Sequence, residues 1–408
     1  MLRFRTSVGA ALFAALAVMA PGCAMEDATS AMGAPSGSSG GAVEGNGNGA
    51  PSAGQLTAGE WNDLDHWDFW LGLNEPAQPT DPADPATAPS FETAWDTVAQ
   101  QWSLDVRNRV SVKVTSAGEP LADAEVVLLD AEDNEVWAAR SDNKGMAHLF
   151  AGLNWAQLGT APYSVVASAG DAVGHVGGIE SFGADTWFVN LEGQAQQAEP
   201  TLDVAFVVDT TGSMGDELRF LKAELADVIA RVQQNAADVS VRVGLSFYRD
   251  RGDQYLVRSF DFQGVDGALA DLGAQASAGG GDYPEAVDEA LLDMVEQQTW
   301  SSSARARLMF VVLDAPTHGQ QDDQQNLHNA IRQAAQKGIR LIPVVASGWD
   351  RQAEFVFRAA TIATGGTYTF LTDHSGIGND HLEPTVGDFE VEKLNDLLVR
   401  VISERIAP

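Results

Sequence analysis

The chain has 408 residues, with 57 acidic against 24 basic side chains and a formal charge of −33. So negative a field disfavours nucleic acid and bare anionic membrane surfaces, and favours divalent cations and basic partners. A single cysteine rules out an intramolecular disulfide, so stability rests on packing and on any bound metal.

Met1-Leu-Arg-Phe-Arg5 is a short basic region, followed by an apolar stretch from Val8 to Met19 and then Ala20-Pro-Gly-Cys23. The apolar part is too short to span a bilayer comfortably, which marks residues 1–23 as a secretory signal. Cys23, preceded by Gly22, stands where a bacterial lipoprotein signal places its lipidated residue; Ala20 and Pro21 depart from that pattern, and simple cleavage nearby is the alternative. The expected location, after secretion across the inner membrane, is the bacterial cell envelope or surface, and lipidation of Cys23 would make a lipid anchor the only membrane contact. Residues 24–59 are mostly Gly, Ser, Ala, Asn and Pro. Such a stretch buries too little surface to offset its ordering entropy, and a flexible tether is expected.

Residues 60–103 hold Trp61, Trp67, Trp70, Trp95 and Trp102, half of the ten tryptophans. They could form a stacking platform for sugars, but wedging the segment against a neighbouring domain is the favoured reading. Residues 104–192 carry short alternating runs with turn chemistry between them, such as Val106–Val114, Ala124–Asp130 and Met146–Phe150 after Ser141-Asp-Asn-Lys-Gly145. That spacing predicts an antiparallel β-sandwich. The pattern Pro-Leu-Ala-Asp-Ala-Glu-Val followed by Asp-Asn-Lys-Gly-Met-Ala resembles carboxypeptidase regulatory-like, immunoglobulin-type modules, which implies a spacer or assembly role without catalytic residues.

In residues 199–408 strands and helices alternate. Leu202–Val208 is a continuous apolar run, as a buried parallel strand would be, and Leu218–Val232 has the three-to-four spacing of an amphipathic helix. Strands are predicted at Ser240–Tyr248 and, antiparallel at the sheet edge, Tyr255–Phe262. A helix with Pro284 as its first residue is expected to run through Val295; Leu308–Leu313, Ile339–Val345 and Thr367–Leu371 read as strands. Leu327–Ala335, Glu354–Ala363 and Val391–Ile406 read as helices. The pattern predicts an α/β doubly wound parallel sheet covered on both faces.

Three segments put oxygen ligands at the carboxyl edge of that sheet, where open α/β folds bind ligands. In Asp209-Thr-Thr-Gly-Ser213 the side chains of Asp209, Thr211 and Ser213 can converge while Gly212 permits the turn. Hard oxygen donors of this kind suit Mg²⁺, with Mn²⁺ or Ca²⁺ as alternatives. Ala278-Gly-Gly-Gly-Asp-Tyr-Pro-Glu-Ala286 adds Asp282, and the strand ending at Leu313 adds Asp314, with His318 in the loop behind it as a group able to orient a water or cap the loop.

Together these segments make residues 200–405 resemble the von Willebrand factor type A domain with its metal-ion-dependent adhesion site. The resemblance implies a Rossmann-like fold in which Asp209, Thr211, Ser213 and Asp314 hold a metal. Asp282 stands where many members carry threonine, and the extra carboxylate puts the ligand type in question. The implied function is metal-dependent surface binding or adhesion, in which Mg²⁺ captures a carboxylate from a protein partner. An envelope assembly module with an endogenous partner is the alternative. A metal-assisted hydrolase is disfavoured, because residues 199–408 hold no His-Glu-x-x-His, no Gly-x-Ser-x-Gly and no recognisable nucleophile–base set. Arg251-Gly-Asp253 spells an integrin-binding tripeptide, for which a polar hairpin turn is the simpler account. Asp373, His374, His381 and Glu383 form a candidate second metal cluster or an ordinary loop.

Overall fold

The computed structural model describes residues 51–74, 95–153, 158–235, 238–377 and 381–407. The expected signal, Cys23 and most of the expected tether lie outside these residues. The described chain opens with β1 (Thr57–Trp61), α1 (Trp67–Leu73) and α2 (Trp95–Gln101). Eight short strands follow: β2 (Arg109–Ser116), β3 (Glu119–Pro120), β4 (Glu125–Leu129), β5 (Glu135–Arg140), β6 (Met146–Phe150), β7 (Tyr163–Ala169), β8 (Ala172–Ile179) and β9 (Thr186–Leu191).

The remaining elements alternate. They are β10 (Thr201–Asp209), α3 (Gly215–Asn235), β11 (Ser240–Tyr248), β12 (Val257–Gln263), α4 (Val265–Gly273) and α5 (Val287–Glu296). After them come β13 (Ala306–Leu313), α6 (Gln321–Lys337), β14 (Ile339–Val345), α7 (Arg351–Thr364), β15 (Tyr368–Leu371), β16 (Glu392–Lys393) and α8 (Leu394–Ile406).

The main sheet has eight strands in the order β12-β11-β10-β13-β14-β15-β1-β16. β11, β10, β13, β14 and β15 run parallel, and β12 closes one edge antiparallel. The central strands are apolar on both faces because helices cover both, so Leu202, Phe206, Phe310 and Ile342 are buried from one side and Ala205, Val207, Met309 and Val311 from the other. Pro284 does not begin a helix: α5 starts at Val287, after Glu285 has formed a β-bridge with Thr317 and its N–H has bonded to the carbonyl of Pro316 at 2.9 Å. α4 was not evident in the sequence pattern.

Residues 57–59 were expected to belong to a flexible tether, but they are part of β1, which pairs antiparallel with β15 and with β16. Ala58 is fully buried. Just before this strand, the Glu224 carboxylate on α3 accepts the backbone N–H groups of Gly54, Gln55 and Leu56 at 2.7, 2.8 and 3.0 Å. Glu224→Ala would leave three donors without their acceptor, and a loss of about 2–4 kcal/mol is expected in urea unfolding. Protease cleavage near residue 54 should accelerate in parallel; unchanged cleavage would show that this clamp does not hold the segment.

The five N-terminal tryptophans are each at most 7% exposed, which leaves no ring face open as a sugar platform. Trp70 stacks on Phe355 of α7 at 5.5 Å and meets Trp95 edge-on at 5.4 Å. Beneath them Arg358 of α7 is fully buried, forked onto Asp63 at 2.6 and 2.9 Å and joined to Glu354 at 3.1 Å.

β2–β9 form two four-stranded sheets, one containing β3-β2-β6 with β9 on β2, the other β5-β4-β7-β8. The expectation of purely antiparallel pairing fails at one place, since β2 and β9 are parallel from Ser111↔Thr186 to Ser116↔Leu191. A strand that closes a module from the far end of its sequence is free to pair in either sense. These sheets share a continuous apolar core with the α/β part. Polar stitches cross the junction: Arg307 of β13 pairs with Asp123 at 2.8 Å, and Arg340 of β14 donates to the carbonyl of Arg140 at 2.6 Å.

Candidate metal centre

β10 ends at Asp209, and the loop after it stays buried through Thr210 and Thr211. Asp209 remains fully buried; its Oδ1 accepts the N–H and the hydroxyl of Thr211, both at 2.7 Å. The Thr211 and Ser213 hydroxyls lie 3.0 Å apart. The structure thus places the side chains of Asp209, Thr211 and Ser213 next to one another. Gly212 has to be glycine at this point: its N–H bonds to the Gly279 carbonyl at 3.0 Å, and an added Cβ would lie 2.8 Å from that oxygen. Asp314, 6% exposed, comes from the end of the neighbouring strand β13.

Asp209 and Asp314 sit together in a dry setting, where the Asp314 charge raises Asp209 while a hydrogen bond from Asp209 favours the Asp314 carboxylate. Burial first, and then the Asp314 charge, pushes the Asp209 carboxyl up to about 8. Asp314 is also raised, chiefly by burial, against the opposing pull of the Ser213 hydroxyl and Asp209.

The Gly-rich loop contributes a carboxylate other than the one expected. Asp282 is exposed, and it acts on Asp250. Glu285, three residues on, is 3% exposed and is pushed up to about 9 by burial and then by the charges of Asp209, Asp250, Asp314 and Asp253. The cause is the bridge to Thr317, which draws Glu285 against the end of β13 while Asp282 stays on the outer arc of the loop. Gly280, at φ +70°, passes over this carboxylate; a Cβ there would lie 3.0 Å from Glu285 Oε1 and 3.2 Å from Thr211 Cβ. A buried acid beside Pro284 is visible in the sequence only as a glutamate next to a proline, which is no signal.

Three buried carboxylate oxygens here, Asp209 Oδ2, Asp314 Oδ1 and Glu285 Oε2, have no hydrogen-bond partner among the described residues. The Tyr248 hydroxyl at the end of β11 is likewise buried without one, and Asp209 heads the charges that raise it. Orphaned carboxyl oxygens beside two hydroxyls, able to give up their protons to a cation, are what a hard divalent ion requires, so these residues fit a metal of the Mg²⁺ or Mn²⁺ type.

The other candidates fall around this centre. His318 Nε2 lies 2.7 Å from Asp250 Oδ1, so it serves a neighbouring carboxylate and loop. The Arg-Gly-Asp tripeptide is engaged internally: Arg251 pairs with Glu289 at 2.7 Å and Asp323 at 2.5 Å, while Asp253 accepts the Gly280 N–H at 2.8 Å. Asp288, Glu289 and Asp323 form an acidic group with the spacing of a metal site, but two of the three already hold the Arg251 guanidinium.

Of the C-terminal cluster, His381 and Asp373 meet at 2.7 Å, while His374 and Glu383 are exposed. His381 also approaches Glu217 of α3 at 3.7 Å, and Glu217 accepts the Ser347 hydroxyl at 2.8 Å. Glu217, which the sequence did not single out, is raised by burial and senses Asp314.

Residues 203–377 match the family model for the von Willebrand factor A domain, which supports a protein carrying such a domain. Over 137 residues the chain is 28% identical to the "Putative ariadne-like RING finger protein" of Acanthamoeba polyphaga mimivirus. That alignment takes in 33% of this chain and spans 13% of the viral protein. The domain is consistent with a protein-interaction module.

Proposed function

We propose that the chain is a metal-dependent protein-binding module of the bacterial cell surface, in which Asp209, Thr211, Ser213, Asp314 and Glu285 hold a divalent cation. The observation that carries this reading is the trio of buried, unpartnered carboxylate oxygens on Asp209, Asp314 and Glu285. Bound there, Mg²⁺ would supply Lewis-acid attraction for a carboxylate offered by a partner protein. Around it Asp253 fixes the Gly280 loop and Gly212 lets the two glycine-bearing loops close on one another. Tyr283, 44% exposed beside this loop, offers a surface for the partner. Ser213 bonds to Thr211, as suits a ligand, and the reading is of a protein without catalytic activity. Envelope location and a lipid on Cys23 belong to the same proposal and rest on the N-terminal sequence. The two sheets of residues 109–191 we assign to an immunoglobulin-like spacer.

Calorimetric titration of Mg²⁺ and Mn²⁺ into wild type and Asp209→Asn/Asp314→Asn tests this. A saturable site is expected in wild type and none in the double variant, with circular dichroism unchanged. Absence of binding at millimolar metal in wild type would sink the proposal. Pull-downs from envelope extract with and without chelator then separate adhesion from assembly: a chelator-sensitive partner from the same envelope would place the module in assembly.

A further inference from the structure

Where the β2/β6 sheet meets the α/β part there is a second concave site, a cavity of ≈ 730 Å³. That is the size of a pocket for a small molecule. Its lining includes Trp61, Arg109, Ser111, His148, Arg340 and Arg405. Arg109 and Arg340 are only 5% and 7% exposed. Neither makes an ion pair among the described residues. Arg340 donates to the carbonyls of Thr364 and Arg140 at 2.8 and 2.6 Å, and Arg109 donates to that of Leu64 at 3.4 Å while its guanidinium lies 3.8 Å over the Trp67 ring. The Nε of Arg109 is buried with no hydrogen-bond partner among the described residues.

Nearby acids offset these charges only in part and from beyond ion-pair distance: Asp65 and Asp68 act on Arg109, and Asp142 and Asp123 on Arg340, yet burial outweighs them and lowers both guanidiniums to about 10. Glu60, Glu392 and Glu404 surround Arg400 at 2.9, 2.6 and 3.4 Å. Asp142 faces Arg405 at 3.9 Å and accepts the N–H groups of Lys144 and Met146. Asp65, Asp388, Glu390 and Lys144 are exposed at the rim. His148, bonded to Ser111 at 3.2 Å, is pushed down to about 3 by burial and by Arg109, Arg340 and Arg405, so it adds a hydrogen bond and no charge. Burying a guanidinium without a counter-charge costs several kcal/mol, and such a cost is normally met by a paired anion.

We propose that this cavity binds a small oxyanion, a carboxylate- or phosphate-bearing solute, gripped by the Arg109 and Arg340 guanidiniums. The site is separate from the candidate metal centre and does not depend on it. The test is calorimetry and thermal unfolding of the full-length chain, without divalent metal, using inorganic phosphate and succinate against sodium chloride at matched ionic strength. Saturable binding of one of them is expected, and which one binds identifies the class of anion. Arg340→Met should weaken it by at least about tenfold, as loss of a charged grip implies. Ala184→Trp places a bulky group from an exposed position at the cavity wall, away from the packed core, and should block entry to the same extent. No saturable binding of either anion, or binding that survives both substitutions unchanged, would overturn the proposal.

Discussion

Without divalent metal, the folded chain should lose stability as pH rises from about 5 to about 8, and millimolar Mg²⁺ or Mn²⁺ should remove that loss. The sign follows from the carboxyls of the candidate centre. In the fold Asp209 is pushed to about 8 and Glu285 to about 9, against ordinary values of 3.8 and 4.5. Between those limits the folded chain binds more protons than the unfolded chain. The stability these groups contribute is therefore complete below their ordinary values and drains away as pH rises through their folded ones. A bound cation takes the place of the protons, so the metal effect should be small at low pH and large at pH about 8.

Asp288, pushed to about 7 mainly by burial, adds a slope of its own away from this centre, so the metal-dependent difference is the quantity to read. Asp209→Asn and Glu285→Gln should each flatten the profile and raise the metal-free melting temperature at high pH while abolishing the response to Mg²⁺. A metal response that is unaltered in both variants would place the cation elsewhere.

Arg358→Ala is expected to be the most damaging single substitution outside that centre. It would leave the buried Asp63 carboxylate without its forked partner and take the cation from beneath Trp95, whose ring it faces at 4.9 Å. Stranding a buried charge in this way costs about 3–5 kcal/mol. Arg358→Lys should recover only part of that, because an ammonium cannot make the two parallel bonds to Asp63. Urea unfolding followed by tryptophan fluorescence measures both. A loss below about 1 kcal/mol for the alanine variant, the range of an exposed pair, would show that the N-terminal segment is not anchored here.

Much of the α/β part was legible because its strands are continuous apolar runs and its helices keep a strict three-to-four spacing; Leu202–Val208 and Leu308–Leu313 could hardly be read otherwise. The loop Asp209–Ser213 was legible for a local reason, since its donors alternate along a few residues. What escaped depends on contacts distant in sequence. β1 is five residues long and follows a Gly-rich stretch, and only its partner strand more than 300 residues later makes it a strand. Asp282 and Glu285 are equivalent as letters; the bridge to Thr317 decides which one turns inward. The parallel pairing of β2 with β9 is likewise invisible to a local pattern.

The clamp on Glu224 also has a mechanical side. β1 enters the sheet at its carboxyl edge, with Ala58 opposite Leu371, and the chain just before it is held by α3 through three hydrogen bonds. Tension on the chain ahead of residue 51 therefore reaches the α/β body at Glu224. There α3 shares the load with α8, whose Leu394 N–H bonds to the Leu56 carbonyl at 3.0 Å, and with β15 and β16, which pair with β1. The start of the folded body is thus moored at several points at once, so that no single bond has to bear a pull on the N-terminus.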